Sequence, residues 1–223
     1  LLGDIAAFEG QKDPKCATTA NRLEDFMFGT TLLEEARITR ADLQKELILR
    51  IWKTSSESSS EAKFLSDTDI NSTCQNLLQF EDGSDRFSAQ VGNKIIFITK
   101  RDLKHYSSVA YAYRALLAVQ QEVLFQSEMK LKPLSSEASS AIKDFVDKLT
   151  LMALKLADES ARENDEHSIN SARFEEAFLK LAGSSGDSKT NQAMLLTASQ
   201  RDEQMMLVRQ LIAKKQEAFQ EYN

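Results

Sequence analysis

The sequence is poor in the residues that form turns and in the residue type that most often carries acid–base catalysis. Its 223 residues include 7 glycines, 2 prolines and 2 histidines. All-β sandwiches and barrels use glycine and proline in their many turns, so this shortage argues against such folds and favours long helices. Apolar residues make up 42% and charged residues 28%, which is an ordinary globular composition and argues against wholesale disorder.

Positive charge is also scarce. The 28 lysines and arginines stand against 34 aspartates and glutamates, which gives a net charge of -6, and no basic run exceeds two residues. Because non-specific binding to nucleic acid needs a basic surface that releases counterions, we expect no direct nucleic-acid ligand. No apolar stretch approaches the roughly 20 residues that span a bilayer. We therefore expect no transmembrane segment, and peripheral association with a membrane only through partners.

Two cysteines, Cys16 and Cys74, are too few for a disulfide scaffold. A single bridge between them would close a long loop, and two unrelated buried thiols are the alternative interpretation. No CxxC pair and no cysteine–histidine cluster supports a zinc site. The chain begins at Leu1 rather than Met, which we interpret as a processed or truncated form. A targeting segment cannot be read from it, so the compartment is left open.

Hydrophobic spacing divides the chain into three parts. Residues 1–17 carry no periodicity and are expected to form an extended N-terminal arm. Residues 18–182 carry mostly helical periodicity and are expected to form a helical body with a β-hairpin insertion. Residues 183–223 are expected to form a flexible connector and a long C-terminal interaction helix. The predicted fold class is mainly α, a bundle of six to seven helices.

The first half of the body contains three predicted helices. The first is a short helix over residues 18–28. The second begins with a capping box at Thr31–Glu34 and ends near Trp52. Residues 55–60, SSESSS, are polar and simple in composition, so we expect a mobile surface linker there. A third helix is expected to start near Asp67.

One β-hairpin is predicted at about residues 87–98. Alternating apolar residues from Phe87 to Val91 precede a Gly92-Asn93 turn and a β-branched run. Because Ile95–Ile98 is apolar throughout, we expect both faces of this strand to be covered. An isolated hairpin is marginally stable in water, so it must pack against helices or pair with a sheet of another chain.

The second half of the body is predicted to hold a central helix and then a long and a short helix. Thr99 and Asp102 cap the central helix, which is expected to extend to about Phe125. After Pro133 a serine begins a long helix, which the polar run 158–167 ends. The long helix has a heptad-like seam, typical of antiparallel bundle packing. The seam residues are Ala138, Ile142, Phe145, Leu149, Met152 and Leu156.

The segment from Ser135 to Ala177 resembles part of the histone fold. Ser135-Ser136-Glu137-Ala138 begins the long helix, a polar loop carries Ile169 and Ser171, and a short helix carries Phe174 and Ala177. This order is similar to the second helix, second loop and third helix of a histone-fold subunit. The resemblance implies a pairing module, although the acidic composition departs from the family members that package DNA.

The sequence contains no recognisable catalytic motif. It lacks the GxGxxG and GxxxxGK[ST] phosphate loops and the GxSxG nucleophile elbow. His105 is expected on a helix surface and His167 in a solvated acidic loop, and the acidic residues around Gly83 lack the EF-hand spacing. We therefore expect no enzyme, no metal site and no cofactor. An active site built from dispersed carboxylates and tyrosines would leave no signature in the sequence.

The predicted C-terminal helix has a weak core seam, because Arg201 and Lys215 interrupt it, and it is rich in Met and Gln. Such a helix suits an adaptable contact with a partner. The sequence thus predicts a non-catalytic scaffold or assembly subunit of a larger complex, which contacts other protein subunits through helices. The candidate partner-binding residues are Met194, Met205, Val208, Ile212 and Phe219.

The alternative function is a helical bundle that binds an apolar cofactor or pigment. Its motivation is the wide apolar face predicted over residues 103–125, together with three tyrosines. Tyr106 and Tyr113 are seven residues apart and are expected on one face, whereas Tyr111 points elsewhere. Core packing is the other interpretation of these side chains.

Overall fold

The computed structural model describes residues 30–59, 63–78, 80–109, 111–125 and 131–182. All of them lie within one compact part of the chain, Leu1–Gly186. The described chain is mainly α-helical, as predicted. Its helices are α1 (Glu34–Ser58), α2 (Asp67–Leu77), α3 (Lys100–Ser107), α4 (Tyr111–Phe125), α5 (Ser136–Glu163) and α6 (Ser171–Ala182). Its strands are β1 (Thr31–Leu32), β2 (Phe80–Asp82), β3 (Arg86–Val91), β4 (Lys94–Thr99) and β5 (Ser168–Ile169).

Some predictions fall outside the described residues. These are the N-terminal arm over residues 1–17, the short helix over residues 18–28, and the connector and C-terminal helix over residues 183–223. Among the described residues, no helix has the length and apolar character that crossing a membrane requires.

The framework consists of two units, each with a long helix, a loop and a short helix. The second unit, α4 to α6, contains the order that the resemblance to the histone fold implies: the long α5, the polar loop with β5, and the short α6. The first unit, β1, α1 and α2, repeats this order, which the sequence analysis did not detect. Each short helix packs against both long helices, and α4 also packs against both. The two units therefore share one core.

Reciprocal backbone bridges join the two units. The segment before each long helix pairs in parallel with the segment before the short helix of the other unit. Leu33 N donates to Ile169 O at 3.1 Å, and Ser135 N donates to Leu65 O at 3.1 Å. The same bond is made in both directions, so each unit contributes an equivalent pair of segments to the bridges. The bridged pairs are Leu32 with Ile169 and Leu65 with Leu134.

Side chains strengthen both bridges. Thr30 Oγ1 donates to Asp158 Oδ1 at 2.6 Å in a buried bond, and Asp158 also pairs with Arg162 at 2.8 Å. At the other bridge, Trp52 Nε1 donates to Lys132 O at 2.7 Å. In both cases a residue in the last third of a long helix holds the segment that leads into the other long helix.

The Thr31–Glu34 capping box is a wrong prediction. The N-cap residue of α1 is Leu33, which makes no side-chain cap bond. Thr31 instead lies in β1, where its N–H donates to His167 O at 3.2 Å. Pairing with a distant segment has overridden the local helix-start signal.

The prediction of a mobile linker over residues 55–60 is wrong in its first part, because α1 continues to Ser58. Ser55 is buried, and its Oγ hydrogen-bonds Thr73 Oγ1 of α2 at 2.8 Å. A serine side chain is small enough to let α2 approach α1, and the bond satisfies its hydroxyl. The predicted helix near Asp67 is confirmed as α2, with a capping box between Ser66 and Asp69.

The predicted hairpin is confirmed as β3 and β4, and β2 adds a third antiparallel strand that was not predicted. Gly92 occupies the turn with φ +58°, a left-handed conformation that glycine adopts without strain. The inner face packs on α5. The prediction that both faces of Ile95–Ile98 are covered is wrong, because Ile95 is 65% exposed and Phe97 is 42% exposed.

The predicted central helix is two helices. The cap by Thr99 and Asp102 is confirmed, but α3 ends at Ser107 and α4 begins at Tyr111. The break changes the direction of the tyrosines, so Tyr106 packs against Tyr111, with ring centroids 5.2 Å apart. The prediction that Tyr106 shares a face with Tyr113 assumed an unbroken helix. Both packed rings are buried, as the core-packing interpretation expects.

The two long helices contribute nearly half of the buried apolar side chains in the described core. The seam predicted for α5 is confirmed, since all six of its residues are buried. The cap residue is Ser135, whose side chain accepts from Ala138 N at 3.0 Å. Between the long helices, Gln44 Nε2 of α1 donates to Thr150 Oγ1 of α5 at 3.1 Å, and both side chains are buried.

Candidate functional site

Few of the candidate site residues predicted from the sequence lie within the described part of the chain. The five candidate partner-binding residues and Cys16 lie outside the described residues. Cys74 lies on α2, buried and with no disulfide partner among the described residues. Burial raises the pKa of its thiol to about 12, so the thiol is protonated at neutral pH and a poor nucleophile. A Cys16–Cys74 bridge stays a prediction.

Other candidate chemical groups are dispersed. His105 and His167 are both exposed, as expected. Asp82, in the acidic segment around Gly83, forms an ion pair with Lys100 at 3.4 Å. Within the described ranges, no group of three or more His, Cys, Asp or Glu residues is arranged to hold a metal ion.

The outer face of the hairpin is the candidate site, and we call it the hairpin face. It consists of Ile95 and Phe97 on β4, with Arg86 of β3 and Lys155 of α5 beside them. Side chains alternate along a strand, so the burial of Ile96 and Ile98 leaves Ile95 and Phe97 on the opposite side. Their cross-strand neighbours on β3 are Gln90 and Ser88, which are too small or polar to cover them.

Two cations lie against the ring of Phe97. Lys155 Nζ is 3.8 Å from the ring centroid, and Arg86 Cζ is 5.9 Å from it. Lys155 Nζ also donates to Phe97 O at 2.9 Å, which fixes its position. Among the described residues, neither cation forms an ion pair with a carboxylate. The hairpin face therefore combines apolar surface with two cations that form no ion pair, although the exposed Glu81 of β2 lies opposite Ser88 on the same face.

The edge of β4 is anchored to α5. Besides the bond from Lys155, Lys94 Nζ donates to Glu163 Oε1 at 2.6 Å, and this bond raises the pKa of Lys94. On the inner side, Lys148 Nζ of α5 is 4.2 Å from the ring centroid of Phe87. These contacts hold the hairpin face on α5, the longest of the described helices, so it presents a preformed surface.

A buried carboxylate lies where α3, α4 and α5 meet. Asp147 on α5 is 0% exposed, and its Oδ2 accepts from Ser107 Oγ at 2.8 Å and from Lys143 Nζ at 3.2 Å. Burial raises its pKa, against the lowering effects of Ser107, Lys143 and the Ala112 backbone N–H. Because its partner Ser107 is the last residue of α3, this carboxylate fixes the end of α3 on α5, at the break between α3 and α4.

Sequence reasoning missed the hairpin face because it assigned Ile95–Ile98 to the core as one apolar run. A usable signal was present in the other strand. Ser88 and Gln90 alternate with Phe87 and Ala89, which indicates that one face of the hairpin is polar and open. No pattern in the sequence indicates that Lys155 belongs to the hairpin face, because its position there depends on how α5 packs against β4.

The sequence matches no family model, and no curated protein is significantly similar to it. The candidate site is therefore defined by its geometry alone.

Proposed function

We propose that the protein is a non-catalytic assembly subunit of a larger multiprotein complex, which acts through contacts with other protein subunits. The observation that carries this proposal is the hairpin face, where Ile95 and Phe97 are exposed next to each other on an anchored strand. Scattered exposed apolar residues are normal on a protein surface, but neighbouring ones on a rigid element are typical of contact sites.

The pairing of the two units supports the same proposal. The segments that would join one helix–loop–helix unit to another are already used within the chain, at the bridges of Leu32 with Ile169 and of Leu65 with Leu134. Further partners would then bind surfaces outside the pair. The hairpin lies between the two units in the sequence and offers such a surface.

We assign a second contact to the C-terminal segment on sequence grounds. Its apolar residues, among them Met205, Val208 and Ile212, follow helical spacing with a seam that is weak for core packing. A partner helix would cover such a seam.

The test is isolation of the tagged full-length chain from its native source, with native mass measurement and identification of the proteins that co-purify. We expect a complex well above the 25.1 kDa of one chain. The triple variant Met205→Ser, Val208→Ser and Ile212→Ser should lose partners, whereas the control Gln204→Ser, Gln210→Ser and Gln216→Ser should keep them. A lone monomer with no co-purifying protein would overturn the proposal.

A further inference from the structure

We propose that the hairpin face binds an acidic peptide segment of a partner protein, and that an aromatic or aliphatic side chain of this segment packs on Ile95 and Phe97. The inference rests on the proposed function and names the class of partner. It is carried by the combination of exposed apolar surface and unpaired positive charge on four neighbouring residues.

The apolar half of the surface comes from β4. Alternate residues of a strand lie about 7 Å apart on the same face. Ile95 and Phe97 therefore stand side by side on the outer face, opposite Gln90 and Ser88 of β3. One bulky side chain that packs against both covers apolar surface that the fold leaves exposed.

The charged half of the surface comes from Arg86 and Lys155. Both lie against the Phe97 ring, and in the described part of the chain neither has a carboxylate partner. By contrast, Lys94 at the start of β4 is paired with Glu163, and Lys100, the residue after β4, is paired with Asp82. Unpaired cations beside the exposed ring favour a ligand with carboxylates, which an arginine can bind through two parallel hydrogen bonds.

The charges at the hairpin face argue for a partner protein rather than a second copy. Two copies that met at this face would bring Arg86 and Lys155 of one copy against the same residues of the other, and these like charges repel. A local cationic surface on an acidic protein selects segments in which acidic residues surround an apolar one. Lys155 is already held by the bond to Phe97 O, so little conformational entropy is lost when a carboxylate binds.

The experiment is selection of a random twelve-residue peptide library, displayed on phage, against the purified full-length chain. We expect the selected pool to be enriched in Asp and Glu around Phe, Leu or Trp, compared with the starting library. Enrichment in acids should disappear with Arg86→Gln/Lys155→Gln, and enrichment in apolar residues should disappear with Ile95→Ser/Phe97→Ser. The control Lys100→Gln removes a paired cation at the same hairpin and should leave the selection unchanged.

Each contrary outcome overturns the inference. Neutral or basic selected peptides, no enrichment at all, or the same acidic pool with the Arg86→Gln/Lys155→Gln variant would do so. A purified chain that is dimeric, and that becomes monomeric with Ile95→Ser/Phe97→Ser, would assign the hairpin face to self-association instead. Thermal unfolding of each variant checks that it folds. If selection fails while the native complex is present, the inference falls and the proposed function stands.

Discussion

Three hydrogen-bonded pairs of polar side chains in the described core each join one helix to another. A buried hydroxyl or amide without a partner costs about 1–3 kcal/mol, so these pairs favour one arrangement of helices over others. Sequence could not reveal them, because Gln44 and Thr150 are 106 positions apart and each is unremarkable alone. The pairs are Gln44 with Thr150, Ser55 with Thr73, and Ser107 with Asp147.

The bond between Ser55 and Thr73 gives a prediction for stability. Thr73→Val keeps the side-chain shape but leaves the buried Ser55 hydroxyl without its 2.8 Å partner. We expect the free energy of unfolding to fall by about 1–2 kcal/mol, measured by urea denaturation. Ser58→Ala on the exposed side of α1 is the control and should change it by less than about 0.5 kcal/mol.

The double variant Ser55→Ala/Thr73→Val sharpens this test. Because both polar partners are then replaced, no buried hydroxyl is left unpaired, and the double variant should be more stable than Thr73→Val. A double variant that loses the sum of the two single effects would show that the hydrogen bond is not the cause.

Asp147 gives a prediction for pH dependence. Its pKa is raised by burial, so the folded state holds this proton more tightly than the unfolded chain does. The free energy of unfolding therefore falls as pH rises from the ordinary aspartate pKa to the raised one, and this contribution is constant above it. The variant Asp147→Asn has no carboxyl group to titrate at this position. The free energy of unfolding of the variant minus that of the wild type should therefore increase with pH across that window.

Urea denaturation at closely spaced pH values from 3.5 to neutral checks the expectation about Asp147. The control is Asp144→Asn, which removes a half-exposed carboxylate on the same helix. If both variants show the same pH profile relative to the wild type, burial of Asp147 is not what shapes the curve.

At the scale of elements, local signals predicted what local contacts determine. α2 and α5 begin close to where serine caps and apolar spacing place them, and apolar spacing alone places α6. The failures are Thr31 in a strand, the helical Ser55, and the break after Ser107. Each depends on a group distant in sequence: His167 for Thr31, Thr73 for Ser55 and Asp147 for Ser107.

The hairpin turn gives a prediction for an element. At Gly92 an added Cβ would contact nothing within 4 Å, so only the φ of +58° opposes a side chain there. Gly92→Ala should lower the free energy of unfolding by about 1–2 kcal/mol. Gly92→Asn should cost less, because asparagine tolerates left-handed backbone. Equal losses in urea denaturation for the two variants would show that backbone conformation is not the source.

At the scale of the whole molecule, the two units pack as two subunits of a dimer would, although they belong to one chain. α2 packs on α5 and α6 packs on α1, so neither unit has a core of its own that excludes the other. The sequence indicates only one unit, because the long helix of the first lacks a serine cap and ends within the polar SSESSS segment, of which residues 55–58 are helical. The equivalence of the two units is shown by their reciprocal bridges.

This pairing predicts that the connection can be cut. A protease site inserted between Gly92 and Asn93, both exposed, allows cleavage after folding. We expect the two fragments to stay together at the mass of one chain in native mass spectrometry, and to separate only in denaturant. The cleaved protein should unfold at lower urea concentration when diluted, because its second unit is no longer tethered.

The uncleaved insertion variant is the control, and its unfolding should not depend on protein concentration. Fragments that separate in native buffer would show that the hairpin connection, rather than the bridges and the shared core, holds the two units together.

The parallel pairing of β1 with β5 also has a consequence for biosynthesis. Leu32 is translated before its partner Ile169, which follows 137 residues later in the chain (169 − 32). At ordinary rates of translation this delay is on the order of ten seconds. During that time the apolar side of α1 is not yet covered by α5 and α6 of its own chain. A neighbouring nascent chain on the same messenger RNA can supply these helices instead. Slow ribosomes would therefore raise the yield of exchanged dimers.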